Sequence, residues 1–202
     1  MYKRQKKKAK TLNVEETSVP KIDILETNNR VPWSGHMASY AIRDIYQKIK
    51  KSSLTIVFVN TRAQAELVFN KLWQENENNL RIAIHHGSLE KEIRRKVESL
   101  MSLGKIDCVV ATSSLDLGID WGDVDLVVQI GSPKGISRFL QRIGRSNHRF
   151  DEPSNALLVP SNRFEYLECL SAINSIKNKL LDETKEKQGS LDVLAQHILG
   201  VA

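Results

Sequence analysis

Apolar and polar positions along this 202-residue chain fall into two alternating rhythms. From Ala38 to Lys50, Ile42, Ile45 and Ile49 recur at helical spacing and predict a helix. Leu54–Val59 is then a compact apolar run suited to a buried parallel strand. Thr61–Asn76 returns to helical spacing, with Ala65, Val68, Phe69 and Leu72 on one face. The alternation continues with a strand at Arg81–Ile84 and a helix carrying Ile93, Val97, Leu100 and Met101. Strands at Ile106–Ala111 and Val124–Ile130 follow, then a helix through Ser137–Arg145. A fifth strand at Asn155–Val159 leads into a helix from about Asn162 to Lys177.

Strands alternating with helices imply βαβ units, hence an α/β fold with a parallel sheet and helices on both faces. In such sheets ligands sit beyond the carboxyl ends of the strands. Four polar segments follow directly on predicted strands: Asn60-Thr61-Arg62, His85-His86-Gly87-Ser88, Thr112-Ser113-Ser114 and Gly131-Ser132-Pro133-Lys134. One edge of the sheet is therefore expected to gather hydroxyls, glycines and cations. Residues 1–33 read as a basic tail and extended lead-in, and residues 34–180 as the globular domain. Residues 189–202 read as the start of a truncated following domain, because Leu191, Leu194, Ala195 and Ile198 make one apolar helix face.

Composition changes this picture in two places. The formal net charge is +6, yet six of the 30 basic residues lie within residues 1–10, and the other 24 equal the 24 acids. The folded part is formally neutral, so charge alone does not argue for nucleic acid. Cys108 and Cys169 lie in apolar surroundings and read as reduced core residues. No run of eighteen apolar residues and no apolar leader segment occurs, so the expected location is the cytoplasm, without membrane contact. His85 and His86 have no carboxylate or cysteine at ligand spacing, so no metal site is expected.

The chemistry concentrates in Gln141-Arg142-Ile143-Gly144-Arg145-Ser146-Asn147-His148-Arg149. Three arginines and a histidine around one helix end form a costly cluster of like charge unless an anion faces them. A guanidinium stays charged and offers paired donors in a plane, which suits phosphate oxygens. Across a cleft from a triphosphate, such an arginine offsets the charge that develops in the transition state. Thr112 and Ser113 end a strand and open a short helix, where hydroxyls and backbone N–H groups can meet a phosphate. Asn60, Thr61 and Arg62 offer donors suited to a sugar-phosphate backbone. Helix capping by Thr61, with Arg62 in solvent, is the structural alternative.

The arginine-rich stretch resembles motif VI of superfamily 2 helicases, written Q-R-x-G-R. Val57–Arg62 resembles motif IV and Ala111–Asp120 motif V, in the same order and spacing over about residues 54–160. Phe58–Ala65, His85–Ser88, Ser113–Val128, Gln141–Arg149, Leu157–Glu168 and Leu191–His197 look like the Lhr (large helicase-related) group, with ligase-associated DEXH-box DNA helicases of bacteria nearest. The resemblance implies a RecA-like helicase C-terminal domain, the second motor domain of an ATP-driven, 3′-to-5′ DNA translocase connected with repair. It implies catalytic roles for Arg145, Arg149 and Gln141, and ATP contacts for Gly118, Asp120, Arg142 and His148. It assigns nucleic-acid contacts to Asn60, Thr61, Arg62, Gly87, Thr112 and Ser113. One departure matters: the place where many relatives carry a further arginine holds His148, with Arg149 one later.

A G-x-x-x-x-G-K-[ST] phosphate loop and the acidic pair that holds magnesium do not occur in this sequence. Gly131-Ser132-Pro133-Lys134-Gly135 is too short for the first. Asp182-Glu183-Thr184-Lys185 follows a polar helix and reads as a solvated loop. ATP with Mg2+ is thus expected to be held mainly by a first RecA-like domain, in cis or in trans. This chain alone is expected to bind no cofactor and hydrolyse nothing. Single-stranded DNA is the expected partner, with RNA not set apart by these motifs. A non-catalytic nucleic-acid-binding or partner-binding module is the alternative.

Overall fold

A computed structural model describes residues 20–35, 37–116, 124–146, 153–182 and 191–201. Its centre is a six-stranded sheet in which every pairing is parallel. The strands are β1 (Lys21–Ile24), β2 (Thr55–Phe58), β3 (Ile82–His85), β4 (Cys108–Ala111), β5 (Leu126–Ile130) and β6 (Asn155–Val159). They lie in the order β1-β6-β5-β2-β4-β3. The helices are α1 (Ile42–Ile49), α2 (Arg62–Gln74), α3 (Lys91–Ser102), α4 (Ile136–Ile143), α5 (Arg163–Lys177) and α6 (Leu191–Val201). This is the α/β fold expected from the sequence, a parallel sheet covered by helices on both faces.

Alternation of side chains along the strands divides the core into two layers. Val57 and Val59 join Ile45 and Ile49 of α1 and Val68 and Leu72 of α2 on one face. Ile56 and Phe58 join Met101 of α3, Phe139 and Ile143 of α4 and Cys169 of α5 on the other. Both faces of β2 are therefore buried, which is why its sequence reads as continuous apolar rather than alternating. Cys108 and Cys169 are free thiols in these layers. Burial pushes the Cys169 thiol up to about 12 and raises the Cys108 thiol as well.

Two segments depart from the sequence reading. Residues 21–24, assigned above to the lead-in, form β1 and pair with β6 from Lys21 beside Asn155 to Ile24 beside Leu158. The predicted helix at Ala38–Lys50 begins instead with a tight 3₁₀ turn, Ser39–Ala41, because Ala38 adopts a positive φ of 45°. Beyond β1 the chain stays close to the end of β6, where Leu25 N–H donates to the Leu158 carbonyl at 2.9 Å. Tyr40 donates from its hydroxyl to the Pro160 carbonyl at 2.7 Å, and Asn162 donates to the Gly35 carbonyl at 3.0 Å. No helix among the described residues is long and apolar enough to cross a membrane. None of the residues of α6 is buried.

Candidate nucleotide and nucleic-acid interface

The carboxyl ends of β3, β4, β2 and β5 are neighbours, and they carry, respectively, the polar segments beginning at His85, Thr112, Asn60 and Gly131. After β2, Thr61 caps α2: its hydroxyl accepts from Gln64 N–H at 3.2 Å, and Gln64 Oε1 accepts from Thr61 N–H at 3.1 Å. This reciprocal pair satisfies two otherwise orphaned donors and fixes the direction in which α2 leaves the sheet. Arg62 extends into solvent and meets Glu66, one helical turn away, at 3.4 Å. Asn60 is half-buried, and its amide donates to the Ser132 carbonyl at 3.0 Å, tying the β2 loop to the β5 loop. Gly131 makes that approach possible. Its φ is +80°, and a Cβ there would lie 3.0 Å from the Asn60 amide nitrogen.

Beyond β3, His85 and His86 are both buried. The His85 ring spans Ser114 at 2.7 Å and Glu98 at 3.0 Å, while His86 lies 3.6 Å from Glu66. Gly87 has open space where a Cβ would stand: no atom of the described residues lies within 4 Å of that position. Beyond β4, Thr112 is half-buried and Ser113 exposed, at the start of the 3₁₀ turn Ser113–Leu115. Thr112 N–H donates to the His85 carbonyl at 3.2 Å, which holds this turn against the end of β3.

The arginine cluster is not arranged as its spacing suggests. Arg142, expected to contact ATP, turns inward and is only 4% exposed. Its Nε and Nη2 donate to the two carboxylate oxygens of Asp116 at 2.7 and 3.3 Å, and its Nη1 to Gln129 Oε1 at 2.6 Å. The guanidinium also lies 4.7 Å from the centroid of the Phe58 ring. A buried guanidinium is tolerable only with its charge compensated and its donors used, and Asp116, Gln129 and Phe58 together meet that need. Arg142 therefore braces α4 against the β2–β4–β5 layer. Arg145 is half-buried, and its Nη2 donates to the backbone carbonyl of the same Asp116 at 2.8 Å. Arg138, one turn before Arg142 on α4 and exposed, comes within 3.8 Å of the Asp116 carboxylate. Gln141 lies on the exposed side of α4.

The start of α4 is also held. Asp182, expected in a solvated loop, accepts from Ser137 N–H at 2.9 Å. The backbone N–H groups at this helix start hold its carboxyl below the usual carboxylate range. Gly135, with φ +140°, leaves room for that carboxylate, since a Cβ would lie 3.1 Å from it.

Residues 39–150 match the family described as helicase conserved C-terminal domain. The chain belongs to this family. Its similarity lies with the Lhr type. It is 43% identical over 155 residues to ATP-dependent helicase Lhr-Core protein 2 of Thermococcus barophilus, covering 76% of this chain and 18% of that protein. To ATP-dependent helicase Lhr-Core of Methanothermobacter thermautotrophicus it is 40% identical, over 80% of this chain and 19% of the relative. The chain thus spans under a fifth of the length of these curated relatives. The solved structure of Mycobacterium smegmatis helicase Lhr bound to ssDNA and AMP-PNP superposes with a TM-score of 0.78 at 31% identity. That match covers 93% of this chain and 25% of the other.

Within this helicase C-terminal domain, Gly118, Asp120, His148 and Arg149 lie outside the described residues. Sequence reasoning missed Asp116, Gln129 and Arg138. An acid set between Leu115 and Leu117 in motif V, together with arginines at i and i+4 on α4, is the signal that could have found the first and last.

Proposed function

We propose that this domain is the second motor half of an Lhr-type ATP-dependent DNA helicase. It closes on a first motor domain that carries the phosphate loop and Mg2+. The observation that supports this reading is the joint hold of Asp116 on two arginines of one motif: its carboxylate fixes Arg142, and its carbonyl orients Arg145. A side chain held in this way loses little further freedom when a triphosphate arrives, which favours its use in the transition state. Arg145 is the residue assigned to the γ-phosphate, with Gln141 and Arg149 beside it. Gly118 and Asp120 are assigned to the nucleotide. Asn60, Thr61, Arg62, Gly87, Thr112 and Ser113 are assigned to the sugar-phosphate backbone of a single strand. Closure driven by ATP would then move the strand-holding turns relative to the first domain, one step per hydrolytic cycle.

Mixing or joining this chain with its first motor domain tests the reading. ATP hydrolysis stimulated by single-stranded DNA is expected from the pair and from neither part alone. Stimulated hydrolysis by the isolated chain, or a pair indistinguishable from the first domain by itself, would contradict it.

A further inference from the structure

Directly beneath the turn assigned to the nucleic-acid strand lies a buried polar cluster that the proposed function does not use. His85 ends β3 with 1% of its surface exposed. Its carbonyl oxygen accepts from Thr112 N–H at 3.2 Å and from Ser114 Oγ at 3.1 Å. Its ring Nδ1 lies 2.7 Å from the same Ser114 Oγ, and its Nε2 lies 3.0 Å from Glu98 Oε1 on α3. We infer that His85 is a positioning residue for nucleic-acid contact, clamping the turn Thr112–Ser114 and bracing it on α3 so that its hydroxyls stay aimed at a phosphate. This inference rests on the proposed function and adds a residue to it.

Hydrogen counting shows what each partner does. Glu98 offers acceptors, so it favours hydrogen on Nε2. In the neutral ring Nδ1 then accepts, and Ser114 spends its one hydrogen on the ring. In the charged ring Nδ1 donates instead, and the Ser114 hydroxyl is released to donate to the His85 carbonyl. The serine is held from the same ring in both states, and only the direction of its hydrogen changes. The charged and titratable groups around the ring are Glu98 and Arg94 on α3 and His86 beside it, with Glu66 of α2 reaching His86. A ring that only filled space would be costly here, because each buried nitrogen needs a partner. Both nitrogens have one, and one of those partners belongs to the strand-contacting turn.

The test uses the helicase with both motor domains and reads two quantities separately. These are the single-stranded DNA concentration giving half-maximal ATPase stimulation, and kcat at saturating DNA. H85A is expected to raise the first about tenfold and to change the second by about twofold or less, the loss of one buried bond with its partner left behind. H85N, whose amide can take the Nδ1 place toward Ser114, should recover most of the DNA dependence, and H85Q, which reaches toward Glu98, should not. S114A should resemble H85A. Should H85A not fold, the comparison of H85N with H85Q carries the test, with thermal melting to show that both are folded. Equal DNA dependence in those two variants, or no shift in either, overturns this inference alone. A wild-type enzyme without DNA-stimulated hydrolysis overturns the proposed function and this inference with it.

Discussion

The Arg142 guanidinium and the Asp116 carboxylate form a two-point contact, at 2.7 and 3.3 Å, with both side chains buried. Asp116 follows the turn assigned to the nucleic-acid strand, and Arg142 sits on α4 among the residues assigned to the triphosphate. One ion pair thus joins the two halves of the proposed site within a single rigid core. Because the Asp116 carbonyl also receives Arg145, a shift of the motif V segment would be felt at Arg145 without passing through solvent.

Breaking this pair from one side should be expensive. D116A leaves a buried guanidinium without its counter-charge and is expected to lower unfolding stability by about 3–5 kcal/mol. Replacing both partners with apolar residues, as in D116L with R142M, should recover much of that loss. Urea denaturation of the three proteins checks this, and a D116A variant as stable as wild type would contradict the inward role given to Arg142.

Thr61 has two candidate duties, and one substitution separates them. Aspartate caps helices about as well as threonine, so T61D should change stability by about 0.5 kcal/mol or less. The new carboxylate would face the position assigned to a phosphate and should weaken single-stranded DNA binding several-fold at low salt. Melting and fluorescence anisotropy give the two readings. Unchanged affinity would leave Thr61 as a cap alone.

His85 also gives a pH dependence with a definite sign. Burial holds its pKa below the ordinary 6.5, against a smaller opposing pull from Glu98. The unfolded chain therefore takes up the proton first, and stability must fall as pH drops below 6.5 toward the lower folded value. Above 6.5 the contribution is fully present. Urea midpoints of wild type should fall relative to H85N between about pH 7.5 and about pH 5.5. Parallel midpoints across that range would contradict the assignment.

Five of the six strands are legible in the sequence, since β2 to β6 coincide with apolar runs to within a residue or two. β1 is not, because Lys21-Ile22-Asp23-Ile24 carries two charges in four residues and is defined by its pairing with β6 at the sheet edge. The placing of polar segments on one edge follows directly from parallel topology, so the edge that carries the candidate site was readable too. What the sequence hid is the direction of individual side chains. Helical spacing assigns Arg142 to a face of α4, but its partner Asp116 lies 26 residues earlier, and only packing brings the two together. His85 poses the same difficulty. Its neighbours in sequence suggest a turn, while Ser114 is 29 residues away.

In the proposed function Arg145 acts on the γ-phosphate across the cleft between two motor domains. R145A in the two-domain helicase tests it most directly, with DNA-stimulated hydrolysis and binding of a non-hydrolysable ATP analogue measured on the same preparation. A fall in kcat of about a thousandfold or more is expected, in the range seen for loss of an arginine finger, with analogue affinity changed only a few-fold. Hydrolysis at the wild-type rate would contradict it.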